Sequence, residues 1–317
     1  MAKSSKLGMI GNVRSFVNVV REINLDELRA NAELAPRILV TAPNVEDAGK
    51  IADLIAGDSG SPYVSTARLD ALPRTGHGFD AVVVYDPAAG GDQSRVVETL
   101  RAKELDLPVV AFGTRDTGDE AEAERVREEI ASSSPDRAPA YGRHIPAFRP
   151  AAVKAVIDQT ARANAQFALV SNLPAAIPIV GSLMAVGADM LILTKNQALM
   201  IFKIAAIHDR DLHDQMRILR EMVPVVGAGF FWRTLAREAA AFLPLLIGTL
   251  PKVGVAYIGT AVAGRGADYY YRYGKKPTKE QMQAIYGQAV DSLKRMPAVI
   301  PGRSSKNAKE QSATSDG

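Results

Sequence analysis

From residue 37 to residue 164, short runs rich in β-branched residues alternate with longer runs of helical period, and this alternation constrains the fold more than any other feature. "RILVTA" (37–42), "FDAVVVYD" (79–86) and "LPVVAFG" (107–113) read as buried strands, and "PYVSTA" (62–67) as a weaker one. Between them, "VEDAGKIADLIAG" (45–57), "DQSRVVETLRAKEL" (92–105), "DEAEAERVREEIA" (119–131) and "RPAAVKAVIDQTARAN" (149–164) read as helices. Gly57 stops the first, and Pro150 sits near the start of the last, where a missing N–H does little harm. "APAYGRHI" (138–145) reads as a last strand. Parallel neighbours need a crossover, which these helices supply. The pattern predicts an α/β three-layer, P-loop-like domain with a mostly parallel sheet. Ligands on such sheets bind at the carboxyl ends of the strands, so the loops at 43–48, 86–91 and 113–118 are the places to look for chemistry.

The first loop resembles the phosphate-binding pattern GxxxxGK[ST]. Asn44 stands at the first glycine, Gly49 and Lys50 match, and Ile51 replaces the hydroxyl residue that would hold magnesium. Glu46 and Asp47 fall inside the would-be cradle, where two carboxylates repel a polyphosphate. The same letters make a capped helix: Asn44 as N-cap, with Glu46 and Asp47 at the positive end of the dipole. Asp86, at a strand end, can hold magnesium or begin a turn completed by Pro87 and the glycines after it. In "AFGTRDTGDE", Thr114 and Arg115 align with the first letters of a guanine-reading [N/T]KxD motif. Position 117 is then threonine, and Asp116 falls one place short. If a nucleotide binds, the contacts are Asn44, Gly49, Lys50, Asp86, Thr114 and Asp116, with GTP and magnesium as cofactors. The expectation is no catalytic residue, no cofactor and no metal. His77, His144, His208 and His213 are scattered and read as surface residues. The chain has no cysteine, which excludes thiolate chemistry and cysteine metal sites.

The order of these units, the preceding "VREINLDELRANAELAPRILV", the altered motifs and the exit through "IPAFRPAAVKAVIDQTARANAQFAL" together resemble a small Era-type GTPase domain. In bacterial chains such a domain is often followed by an uncharacterised YcjF-like helical membrane domain. The resemblance implies a fold and a neighbour, and the departures at each nucleotide motif weaken GTP hydrolysis. A second resemblance is to a response-regulator receiver, with Asp86 as phospho-acceptor. That family needs an acidic pair after the first strand, where this chain has "TAPN".

Between Arg162 and Asp189 lies a stretch without charge, "ANAQFALVSNLPAAIPIVGSLMAVGA". A bilayer core takes about 20 apolar residues in helix. The best spanning candidate is 173–193, weakened by prolines and amides; Asp189 within it should face protein or water. A buried hairpin of a soluble bundle is the other reading. Asp189, Lys195, Asn196 and Gln197 are polar for so apolar a setting and read as the solvated face of a helix, with an internal network as the alternative. A charged amphipathic turn and helix follows at 208–222. From 223 to 274 the apolar runs read as short pieces broken by Arg233, Arg237, Glu238, Lys252 and Arg265, with glycines that let helices approach. Trp232 and Tyr269, Tyr270, Tyr271 and Tyr273 suit a membrane interface or ordinary helix ends. "IPIVG", "ADMLILTKNQALM" and the 248–274 segment resemble the same YcjF-like domain.

The expected organisation is amphipathic N-terminal helices (1–35), the degenerate GTPase-like α/β domain (36–162), an all-α membrane-associated domain (163–300) and a polar disordered tail (301–317). The start does not read as a signal peptide. A formal charge of +3, without a basic helix carrying interleaved aromatics, argues against nucleic acid. The expected function is a non-catalytic adaptor or scaffold. Its partners are membrane lipid and a second copy or another membrane protein, at the cytoplasmic membrane with the α/β domain in the cytosol. The alternatives are an active GTP-binding switch and a soluble helical oligomer.

Overall fold

The structure is a computed structural model and describes residues 23–71, 78–89, 107–170, 188–226 and 250–295. The chain divides into two compact units. One comprises Asn24–Val156 with Lys203–His213; the other takes Ile157–Phe202 and residues from Asp214 on.

The first unit is built on β1 (Ile38–Ala42), each of whose residues is buried. It pairs in parallel with β2 (Val64–Arg68) on one side and β3 (Ala81–Val84) on the other, and β3 pairs in parallel with β4 (Val109–Ala111). The order β2-β1-β3-β4 puts the two most apolar strands in the middle. In register, Val40 faces Thr66 on one side and Val83 on the other, and Val83 faces Val110. Strands covered on both faces need apolar residues at odd and even positions alike, which "ILVTA" and "AVVV" provide. On one face Ile38, Val40, Val83, Val110 and Phe112 pack with α2 (Val45–Ala56) and α3 (Glu120–Ser133) through Ile51, Ile55, Val126 and Ile130. On the other, Leu39, Val82, Val84 and Val109 pack with Leu69, Phe79 and Leu107. The buried Thr41 hydroxyl donates to Val83 O at 3.2 Å, so the one polar side chain of β1 is satisfied. β2 lies at the edge with three of its five residues exposed, which is why its apolar signal is weak.

The helix ends are fastened by arginines. α2 ends at Gly57, whose φ of +69° and whose approach to Ala147 (a Cβ there would lie 2.8 Å from the Ala147 Cβ) require glycine. Arg127 of α3, 3% exposed, donates to the Leu54 carbonyl at 3.0 Å and pairs with Glu120 and Glu124. Arg137 donates to the carbonyls of Asn31 and Leu34 at the end of α1 (Asp26–Glu33) and pairs with Asp80 at 3.1 Å. Lys203–His213 joins this unit through Lys203–Asp136 (2.9 Å), Arg143–Asp209 (3.1 Å) and Arg29 to Leu212 O (3.1 Å).

The expected last strand at 138–145 is instead α4 (Ala138–His144). Pro139 sits in its first turn, where its missing N–H breaks no helical bond; in a strand it would break the ladder. Tyr141 of α4 stacks on Phe148 at 5.4 Å inside the core. Tyr141's hydroxyl is buried without a hydrogen-bond partner among the described residues, and burial pushes it well above the ordinary tyrosine range.

The helical unit uses the later part of α5 (Arg149–Val170), most of α6 (Ala188–Ile207), α7 (Gln215–Val226), α8 (Leu250–Tyr273) and α9 (Lys279–Lys294). α8 packs on α7 and α9. A Cβ at Gly264 of α8 would lie 2.6 Å from Ile157 Cγ1 and 3.1 Å from Met200 Sδ, so the glycine permits a close approach. From residue 250 on, the apolar runs interrupted by Lys252 and Arg265 belong to one helix of 24 residues, which is not apolar enough to cross a membrane. Arg265 does not break it, because its guanidinium reaches Gln288 (3.1 Å) and Ser292 (3.0 Å) on α9. α9 opens with a capping box: Thr278 accepts from Gln281 N–H at 3.3 Å, and the Gln281 side chain accepts from Thr278 N–H at 2.8 Å.

Among the described residues, no helix is long and apolar enough to cross a membrane. The expected helix at 92–105, the N-terminal residues 1–22, most of the candidate span at 173–193, Trp232 and the tail beyond 295 lie outside the described residues.

Candidate functional site

The sheet changes direction at β1. From β1 the chain steps to one side for β2, then crosses to the other for β3 and β4. In an open α/β sheet the crevice at such a switch, outside the carboxyl ends of the strands, is where ligands sit. Here it is bounded by the residues after Ala42 in β1 and after Val84 in β3, with the loop after β4 beyond them.

The first wall is short. Only Pro43 and Asn44 separate β1 from α2. Asn44 is extended (φ −130°), as an N-cap must be, and its Oδ1 accepts the Asp47 N–H at 2.8 Å. Its Nδ2 donates to Asp47 Oδ2 at 2.8 Å, and its carbonyl accepts the Ala48 N–H at 3.3 Å. One orphan helix-start donor, the Asp47 N–H, is therefore already engaged, and Ala48 makes the first intrahelical bond. Gly49 and Lys50 lie inside α2, past its first turn. A Cβ at Gly49 would meet nothing within 4 Å, so no close backbone approach calls for glycine there. Lys50 Nζ sits 2.7 Å from Glu46 Oε1 on the exposed side of the helix. The hydrogen bond and charge of Glu46 hold the ammonium above the ordinary lysine range.

The second wall is a turn. Asp86 Oδ1 accepts the Ala88 N–H at 3.0 Å, opening the 3-10 turn Pro87–Ala89. Before it, Tyr85 is buried edge-on to Phe112, with ring centres 6.1 Å apart, and donates to Arg115 O at 3.2 Å. Burial raises the Tyr85 hydroxyl above its usual range; Asp47 and Asp116 add to this and Arg115 opposes it.

The third wall is likewise tied to itself. Thr114 Oγ1 accepts the Asp116 N–H at 3.3 Å, and Asp116 Oδ1 accepts the Gly118 N–H at 2.9 Å. Glu122 of α3 accepts from Gly113 N–H, and Arg125 grips Glu122 at 2.7 Å and reaches the Ala111 carbonyl. Burial pushes the Glu122 carboxyl up, but Arg125 and the Gly113 N–H outweigh it and leave the group below the ordinary range. The sequence-based candidates Asn44, Asp86, Thr114 and Asp116 thus each hold a neighbouring backbone N–H, and Gly49 and Lys50 stand on a helix behind them. Sequence reasoning missed Tyr85, Glu122 and Arg125; a tyrosine at a strand end and an i,i+3 Glu–Arg pair were the available signals.

Among the described residues, no group of three or more His, Asp or Glu is placed to hold a metal ion. His144 is half-buried, with Nε2 3.2 Å from Ala32 O and its ring tilted on Tyr63. His208 is half-buried, His213 is exposed beside Asp211 at 3.0 Å, and His77 lies outside the described residues.

The helical unit holds a second polar constellation. Asn164 of α5 and Thr260 of α8 are fully buried. Asn164 Nδ2 donates to Thr260 Oγ1 at 2.9 Å and its Oδ1 accepts from Asn196 Nδ2 at 2.8 Å. Gln197 Nε2 donates to Thr260 Oγ1 at 3.3 Å, and Thr260 returns its proton to Ala256 O at 2.8 Å. Asn196 and Gln197 of α6 therefore belong to an internal network and not to a solvated face. Of the two charged members of that sequence cluster, Lys195 is exposed and the Asp189 side chain lies outside the described residues. The reason is economy of charge: neutral amides can be buried if bonded, whereas an ammonium keeps to water.

Comparison of the chain with protein-family models, with curated proteins and with solved structures finds no match.

Proposed function

We propose that this chain is a non-catalytic adaptor at the cytoplasmic membrane, in which a nucleotide-silent, P-loop-like α/β unit on the cytosolic side is joined to a membrane-associated helical unit. The observation that carries the silent half is the two-residue connection Pro43–Asn44 between β1 and α2. A phosphate cradle needs free backbone N–H groups around a loop and a lysine aimed into it. Here Asn44 already takes the Asp47 N–H, the Asp47 carboxylate lies at the helix start, and Lys50 is engaged by Glu46. The membrane half rests on the charge-free stretch between Arg162 and Asp189 and on an uncharged buried network in α5, α6 and α8. Alkaline carbonate extraction of membranes from cells making the full chain tests it. The chain is expected in the pellet, and its release into the soluble fraction would reject membrane integration.

A second reading is favoured by one observation. The strand order β2-β1-β3-β4 is that of doubly wound sheets whose site lies between the first and third strands, and Asp86 follows the third. In a receiver-like role Asp86 would accept a phosphoryl group, with Asn44 and Asp47 standing where the acidic pair is expected. Intact-mass measurement after incubation with acetyl phosphate and magnesium separates the readings. An adduct lost in Asp86→Asn supports the second.

A further inference from the structure

α8 and α9 form an antiparallel hairpin, and its tip combines two properties. The turn is fixed: Gly274 takes φ +65° and bonds back to Tyr270 O at 2.8 Å, Pro277 follows, and the Thr278 capping box restarts the chain as α9. On this rigid turn sits Tyr273, 59% exposed, one of four large hydrophobic side chains that stand out among the described residues. Tyr269, one helical turn earlier, lies against it with ring centres 4.5 Å apart, forming an amphipathic aromatic pair. Around this pair the charge is one-sided. Residues 265–280 carry five basic side chains (Arg265, Arg272, Lys275, Lys276, Lys279) and two acidic ones (Asp268, Glu280). That net +3 over one short segment equals the net charge of the whole chain. Arg272 is partly neutralised by Asp268 at 3.0 Å, whereas Lys275 and Lys276 are exposed and make no ion pair among the described residues.

We infer that the α8–α9 tip docks on anionic lipid headgroups, with Tyr273 and Tyr269 at headgroup depth and Lys275 and Lys276 on the phosphates. Tyrosine suits that depth, because its ring is apolar and its hydroxyl stays wet. Exposed lysines next to the ring add attraction that depends on lipid charge. The α9 helix and the fixed turn hold the groups in place, so little ordering is lost on contact. The inference rests on the membrane reading above and adds to it a lipid class and a contact surface.

The test uses the full chain, reconstituted into vesicles of phosphatidylcholine alone or with phosphatidylglycerol. Because the chain has no cysteine, a fluorophore on Glu280→Cys, exposed in the first turn of α9, reports the tip without removing a docking side chain, and one on the exposed Gly287→Cys in mid-α9 serves as control. Flotation of the vesicles reports membrane association; quenching by aqueous iodide reports the tip. The tip label is expected to be shielded in phosphatidylglycerol vesicles and open in phosphatidylcholine ones, with the control open in both. Lys275→Gln with Lys276→Gln, whose side chains touch no core, is expected to lower the ratio of docked to free tip about thirty-fold. Unlabelled Tyr273→Ser with Tyr269→Ser, read by flotation in the presence of salt, is expected to come off the anionic vesicles at lower ionic strength. A chain that floats with its tip equally quenched in both lipids overturns the docking surface and leaves the membrane reading standing. Equal shielding in both lipids overturns the anionic preference. A chain that does not float overturns both.

Discussion

The two units bury polar side chains in opposite ways. In the α/β unit the deeply buried charge is Arg127, which reaches from α3 to the Leu54 carbonyl while Glu120 and Glu124 meet its other nitrogens. Glu120 is 67% exposed, so water reaches one end of the cluster and the charge is never fully stranded. In the helical unit the buried polar groups among the described residues are uncharged: Asn164 and Thr260, joined by Asn196 and Gln197. Against the end of a helix, an ion can be paired and hydrated at once. In the middle of a helix bundle, a low dielectric penalises a charge but tolerates amides whose bonds are complete. The α/β unit orders its helices by carbonyl-capping arginines, and the helical unit orders its own by a neutral relay.

The contrast can be broken at either end. Arg127→Ala removes the cap on two carbonyls and leaves a hole, so it should cost about 3 kcal/mol in urea unfolding. A change under about 1 kcal/mol would show that the arginine is merely tolerated. Asn164→Ala leaves Thr260 and Asn196 short of a partner and should cost about 2 kcal/mol. Hydrogen exchange should place the loss in α5, α6 and α8, and exchange unchanged there would contradict the relay. Next, Asn44→Ala should cost about 1 kcal/mol as a lost N-cap. Its effect should be the same with and without GTP–magnesium, because the residue acts on its own helix.

The smallest effect concerns pH. The folded Glu122 carboxyl titrates below its ordinary, unfolded value near 4.5. Its contribution is therefore fully present above that value and is lost as pH falls through the lower folded one. Glu122→Gln should flatten the acid side of the stability profile and leave the alkaline side alone. On that side Tyr141, raised above its ordinary value near 10, keeps its proton when folded, so stability falls as pH rises past 10. Tyr141→Phe should remove that fall, and a profile with the same alkaline slope would contradict it.

How far the sequence was readable follows the same divide. The central strands were legible because both their faces are covered, and α2 because its ends are written in Asn44 and Gly57. Residues 138–145 were misread because Tyr141 and Ile145, β-prone and apolar, point into the core from a helix start and its end; Pro139 was the overlooked sign. Arg265 interrupts the apolar run without breaking the helix, and its partners, Gln288 and Ser292, are more than twenty residues away on a helix the apolar pattern did not announce. Thr278 and Gln281 carried the spacing of a capping box and were passed over. The site was legible residue by residue: the caps and turns at Asn44, Asp86 and Asp116 are local and obey local rules. The Asn164–Thr260 contact spans 96 positions, and no local rule reaches it.

Whether the β1–α2 junction holds a triphosphate is read by thermal unfolding of the full chain across a GTP–magnesium titration. The melting temperature is expected not to move with nucleotide, in the wild type and in Lys50→Ala alike. A saturable rise in the wild type that vanishes in Lys50→Ala would contradict it.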